Sequence, residues 1–235
     1  MKKQLINFLL LVLPFATITA QKVIEKGYVK MEITDASSED PNMAMGLEMM
    51  KGSTTEIYFS KDKYVTVMDM MGGMVSIKNY VDTKSEKMDM LFDAMGNKMW
   101  IDSNLKDMKK NKPVKQDMSK MDVKYDKSET KDILGYKAYK TTITIPDTDG
   151  MKVIGWITED IKTEAMIIQG MEDLKLNGFP LEFSIVSPQM KITFAAKEIK
   201  DTVDEGIFAL KTEGYKKMTM EEFSKQMGGM GGMGF

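Results

Sequence analysis

Apolar and polar residues alternate at period two along most of this chain, and that pattern constrains its fold more than any other feature. Met190, Ile192, Phe194 and Ala196 fall on one face of an extended segment, with Lys191, Thr193 and Lys197 on the other. Leu181, Phe183 and Ile185 alternate with Glu182 and Ser184, and Tyr139, Thr141, Ile143 and Ile145 with Lys140, Thr142 and Thr144. Shorter runs of the same kind cover 56–60, 63–70, 75–81, 87–92, 98–102 and 153–158. Turn residues separate them: Lys61-Asp62, Gly72-Gly73, Gly96-Asn97, Asp149-Gly150 and Asn177-Gly178. Asp-Gly and Asn-Gly suit type I′ hairpins, whose central residues both need positive φ. Many short strands joined by hairpins predict a mainly β protein built on one antiparallel sheet, and exclude a βαβ fold.

Few segments read as helix. Asp40-Pro41 offers an N-cap followed by proline at the first helical position, Met45 and Met49 then share a face, and Gly52 can end the segment. A short polar helix is expected over 103–110. Thr219 and Glu222 have capping-box spacing, flanked by Met218 and Phe223 as a hydrophobic staple, with Gly228 as the stop. The remaining tail, 227–235, is Gly/Met low-complexity chain, expected to be flexible.

The N-terminus carries Lys2 and Lys3, an apolar stretch from Leu5 to about Phe15, and small residues up to Ala20. This is the layout of a secretory signal peptide cleaved after Ala20, and the apolar run falls short of the ~20 residues that span a bilayer. The expected organisation is a signal peptide over 1–20, a single β domain over 21–226 and the tail. No other stretch reads as a transmembrane segment, so the mature chain is expected to be a periplasmic protein. It has no cysteine, so neither a disulfide nor an acylated N-terminal Cys is available.

Removing Lys2 and Lys3 leaves 31 basic residues, all lysine, against 35 acidic ones. A mildly acidic chain without arginine lacks the field and the bidentate donors that nucleic-acid binding favours. Without histidine or cysteine, catalytic triads, thiol nucleophiles and the usual zinc sites are also excluded. Glu159/Asp160, Glu172/Asp173 and Glu221/Glu222 are adjacent carboxylates of the kind used in acid–base work. In a chain with 35 acidic residues, such adjacency reads as solvated surface. Asp147–Gly150 resembles part of a calcium loop, but Ile145 and Trp156 stand where oxygen ligands are needed. No catalytic residue, cofactor or metal is expected.

The compositional oddity is 26 methionines in 235 residues. Thioether sulfur is a soft ligand suited to Cu(I), and Met68/Met70 or Met88/Met90 would point the same way along a strand. Methionine is also a flexible filler for adaptable apolar surfaces. Packing, or a pliable apolar pocket, is the preferred reading, with Cu(I) handling as the alternative.

Several segments, in order, carry a resemblance: Gly27-Tyr28-Val29, the run from Asp132 to Lys140, Trp156-Ile157-Thr158, the run from Leu176 to Phe183, and Phe208 to Met218. Together they resemble domain of unknown function 4412, more distantly the GLPGLI family, and through both the lipoprotein carrier Lol A and its receptor Lol B. The resemblance implies an incomplete β-barrel, one strongly curved antiparallel sheet covered by a few short helices. It implies a concave face that accepts acyl chains, and so a non-enzymatic carrier for a lipid or an acylated protein. Met68, Met70, Trp156, Phe183, Ile192 and Phe194 are the expected apolar lining. The chain departs from the carrier in having no arginine to hold a lid closed. A cell-envelope interaction module without a small ligand is the remaining alternative.

Overall fold

The computed structural model describes residues 23–106, 121–146, 148, 150–165 and 176–229. Expectations for the signal segment, for 107–110 and for 230–235 lie outside these residues. The strands are β1 (Gly27–Ser38), β2 (Thr54–Phe59), β3 (Lys63–Met70), β4 (Val75–Asp82), β5 (Lys87–Ala94) and β6 (Asn97–Asn104), then β7 (Asp122–Ile133), β8 (Tyr136–Thr144), β9 (Lys152–Thr158), β10 (Phe179–Val186), β11 (Met190–Lys200) and β12 (Lys216–Met218). Two helices accompany them, α1 (Pro41–Met50) and α2 (Met220–Gly229).

All twelve strands form one curved, unclosed sheet in the order β12-β6-β5-β4-β3-β2-β1-β11-β10-β9-β8-β7. Two antiparallel meanders, β1–β6 and β7–β11, are therefore stitched together by the β1–β11 pair. β12 then adds to the far edge, parallel to β6. To reach it, the chain between Asp201 and Tyr215 crosses the outer face. Glu205 pairs with Lys26, Phe208 and Leu210 lie beside Val65 and Tyr80, and Lys98 stacks over Tyr215.

Register assigns every side chain to a face, because directly opposed residues in a ladder point the same way. Val29, Ile57, Thr66, Asn79, Met90 and Ile101 stand side by side across six strands. The same inner face continues through Ile33, Phe194 and Phe183, and through Val153 and Ile143. It carries most of the core: Val29, Met31, Ile57 and Phe59 are each 0% exposed. The outer face carries lysines and carboxylates, paired as Lys131–Glu182 at 2.7 Å and Lys217–Asp102 at 2.7 Å.

Turn chemistry differs from expectation in two places. The β5–β6 hairpin turns on Met95-Gly96, one residue earlier than Gly96-Asn97, with φ of 51° and 87°. Asn177-Gly178 makes no hairpin, since β9 and β10 are joined by a long connection. Glycine is required at 178 for closeness: a Cβ there would lie 2.6 Å from the Thr158 carbonyl oxygen. The expected polar helix over 103–110 gives way at its start to strand, because Ser103 and Asn104 pair with Met88 and Lys87. The helix expected to stop at Gly228 runs through Gly229.

Candidate functional site

The two ends of the sheet differ. At the end where β1 begins, the inner face is packed shut by Phe59, Tyr64, Val81, Phe179 and Leu181. Ile24 and Ile161, joined by an isolated parallel bridge, close over the same cluster. At the opposite end β1 leads into α1. Asp40 caps this helix by accepting from the Asn42 N–H at 2.8 Å, and Leu47 anchors it on Ile33, Ala36 and Ile192.

Exposure rises toward this α1 end on β3 and β10, whereas on β4, β5, β8 and β9 the inner-face residues there, Val75, Ile77, Phe92, Ala94, Ile143 and Val153, are buried. On β3, Tyr64 and Thr66 are buried, whereas Met68 and Met70 are half-buried. On β10, Leu181 and Phe183 are buried and Ile185 is half-buried. Phe194 of β11 is half-buried, and its ring stacks on Phe183 with centroids 4.6 Å apart and planes 12° from parallel. Beyond the strand ends stands a rim of methionines. Five of the eight large apolar side chains that are exposed among the described residues are Met43, Met45, Met49, Met74 and Met95. All five belong to α1 or to the β3–β4 and β5–β6 turns, at this end of the sheet. Exposed large apolar side chains gathered in one place mark binding surfaces.

The six expected lining residues separate into three groups. Phe183, Ile192 and Phe194 lie together on the inner face, beneath and beside α1. Met68 and Met70 lie on the same face in a second cluster, built on Val75, Ile77, Phe92 and Met99 and capped by Met220 and Phe223 of α2. Trp156 is on the outer face, opposite Lys140 and Glu182, with the Lys131 ammonium 5.7 Å from its ring centroid. The strand's parity decides this. Val153, Gly155 and Ile157 point inward, and Gly155 does so because Phe183 fills the space above it: a Cβ there would come within 3.2 Å of the Phe183 Cβ. The other tryptophan, Trp100, is also outward, donating its indole N–H to Asp89 at 2.8 Å under Lys217. Phe183 and Ile192 are buried, and Met68, Met70 and Phe194 are half-buried.

Among the described residues, the carboxylates of the expected pairs are engaged in structural contacts. The Glu159 carboxyl is held below the usual range by Lys127, 2.8 Å away, and by the Tyr139 hydroxyl, so it stays ionised rather than serving as an acid. Burial, and then Glu159 itself, push the Tyr139 phenol up. Glu221 pairs with Lys225, and Glu222 caps α2. Glu172 and Asp173 lie outside the described residues, as does Asp149 of the partial calcium loop. An outer pocket of 110 Å³ is lined by Lys63, Tyr80, Asp82, Lys87, Asp89 and Phe208. It is small beside the ~300–1,000 Å³ of ordinary ligand sites, and its charges already pair as Lys63–Asp82 and Lys87–Asp89. Among the described residues no helix is long and apolar enough to cross a membrane, and no group of three or more acidic residues could hold a metal ion.

The half-burial of Met68, Met70, Ile185 and Phe194 and the exposure of methionines at one end of the sheet were not legible in the sequence. Alternation assigns residues to a face but does not say how far along the strand the face is covered. Met74 and Met95 meet because their turns adjoin, and alternation does not give the order of the strands.

No protein-family model matches the chain, and no curated protein matches it. Solved structures that it is similar to include the Mycobacterium tuberculosis lipoprotein LppX, at 14% identity and a TM-score of 0.36 over 77% of this chain and 89% of that one. A DUF1329 family protein from Desulfovibrio piger shares 8% identity at a TM-score of 0.35, over 79% of this chain and 90% of that one. A LolA superfamily protein from Nitrosomonas europaea shares 12% identity at a TM-score of 0.21, over 81% of this chain and 91% of that one.

Proposed function

We propose that this protein is an exported, non-enzymatic carrier that takes an apolar ligand, a lipid or the acyl chain of an acylated protein, at the α1 end of its inner face. The observation that carries the reading is a set of half-buried apolar side chains on the inner face. Met68, Met70, Ile185 and Phe194 are half-buried, exposed methionines of α1 and the β3–β4 and β5–β6 turns stand at the same end of the sheet, and the end where β1 begins is packed shut. Methionine suits that place because its three rotatable bonds and polarizable sulfur let one surface fit chains of differing shape. Export rests on the signal-peptide pattern of residues 1–20, which lie outside the described residues.

The test is native mass spectrometry of the mature protein purified from its envelope, paired with uptake of a long-chain acyl fluorophore. The expected result is a lipid-sized adduct lost on denaturation, together with fluorophore binding that Phe194→Asp and Met70→Asp abolish while circular dichroism stays unchanged. Clean apo mass with no fluorophore uptake would overturn the reading.

A further inference from the structure

The chain combines 26 methionines with no cysteine, so the thioether is its one group for reversible two-electron oxidation. The methionines differ sharply in what they support. Met31, Met99 and Met218 are buried in strands and belong to the apolar clusters that hold the sheet together. Met45, Met49, Met74 and Met95 are exposed at 74%, 50%, 49% and 74%, and none of the four belongs to any of the core clusters. Their backbones are held by other means. Met45 and Met49 lie one turn apart on α1, and Leu47 falls on the opposite side of the helix. The helix docks through that leucine, on Ile33, Ala36 and Ile192, and is capped by Asp40. On the turns, the Met95 N–H donates to the Met74 carbonyl at 2.9 Å, a bond in which neither sulfur takes part.

An oxygen added to any of these four sulfurs therefore disturbs no core contact, yet it turns a flexible apolar side chain into a polar one. The same change at Met31 or Met99 would put a polar group into a packed core. We propose that Met45, Met49, Met74 and Met95 are sites of reversible sulfoxidation by hydrogen peroxide, and that the modification switches off acyl uptake at the α1 end while the fold stays intact. In the forward step a sulfur lone pair attacks one peroxide oxygen, and the S–O bond forms as the O–O bond breaks. Sulfur gives up two electrons, and the proton on the transferred oxygen passes to the departing hydroxide, which leaves as water. In the reverse step two thiols of a reductase supply the electrons and become a disulfide, and the oxygen leaves as water. The switch rests on the carrier reading; the sites of modification do not.

The test treats the folded mature chain with hydrogen peroxide and follows three readouts on the same sample. Peptide mass spectrometry should find sulfoxide at Met45, Met49, Met74 and Met95 and none at Met31 or Met99. Uptake of the long-chain acyl fluorophore should be lost while circular dichroism stays unchanged. A pair of methionine sulfoxide reductases, one for each sulfoxide epimer, should then restore uptake in the presence of dithiothreitol. The M45Q/M49Q/M74Q/M95Q variant places polar side chains at the same four positions, and should lose uptake without any treatment at an unchanged melting temperature. Sulfoxide at Met31 or Met99 as early as at the four, full uptake by protein oxidised at all four, or a loss that the reductases do not reverse would each overturn the proposal. No uptake by the untreated protein would overturn the carrier reading and the switch with it, and the peptide map alone would then decide the sites of modification.

Discussion

Asn79 stands between Thr66 and Met90 in the middle of the inner-face row. Its Nδ2 donates to the Thr66 Oγ1 at 3.2 Å, while its Oδ1 is buried without a hydrogen-bond partner among the described residues. A buried acceptor left unpaired costs about 1–3 kcal/mol, whereas replacing both members of a pair by apolar groups of similar shape is close to neutral or stabilising. The T66V/N79L double variant should therefore melt no lower than wild type, and T66V alone should melt lower, because it strands the amide entirely. Calorimetry of the three proteins decides this, and a double variant less stable than T66V would refute it. Alternation puts Asn79 on the face of Val75, Ile77 and Val81, but its polar side chain gives no sign in the sequence that it is paired with Thr66 inside. Trp156 shows the converse error: a large aromatic in an alternating run invites an inward reading, yet the close fit of Phe183 over Gly155 turns it out.

Elements whose signals are local were legible. β3 spans the run read from alternation, and α1 starts at the expected Asp40-Pro41 cap. α2 starts with the expected capping box: the Thr219 N–H donates to Glu222 at 2.7 Å, and the Glu222 N–H to the Thr219 hydroxyl at 3.2 Å. β7 was not legible as a whole, because its sequence, Asp122 to Ile133, is mostly charged. It forms the sheet's edge, where lysines and acids discourage pairing with another chain and where half the backbone groups face water. β12 was missed as a strand because its three residues pair in parallel with β6, 115 positions from Asp102 to Lys217. The capping box makes α2 sensitive to pH. Hydrogen bonds from Thr219 hold the Glu222 carboxyl below its usual value, so this contribution is fully present above the unfolded-state value and is lost as pH falls through the lower folded one. Amide exchange in α2 should accelerate over that acidic window while β1 and β2 stay protected. Glu222→Gln should remove the pH dependence specific to α2, and identical profiles for the two proteins would show that the cap does not govern it.

At the scale of the molecule, the exposed methionines lie on α1 and on the turns at one end of the sheet, and the most deeply buried ones lie within its strands. Mild peroxide should map that polarity. Methionine oxidation follows access, so Met45, Met49, Met74 and Met95 should convert first, while Met31 and Met99, at 0% and 3% exposure, should stay intact until the protein unfolds. Peptide mass spectrometry reads the order, and early oxidation of Met31 would contradict the closed end. The antiparallel sheet itself was readable from alternation and turns, but the order of its strands was not, because no local signal tells β1 that its second neighbour is β11. That pairing also makes the protein a late folder. When the ribosome has delivered β1 through β6, the first meander still has bare hydrogen-bonding edges along β1 and β6. The first is sealed only when β11 arrives, and part of the second only when β12 does, almost at the end of the chain. Contacts of such long sequence separation form slowly, which leaves the nascent polypeptide loose, and fit to be threaded through a narrow channel, for most of its synthesis.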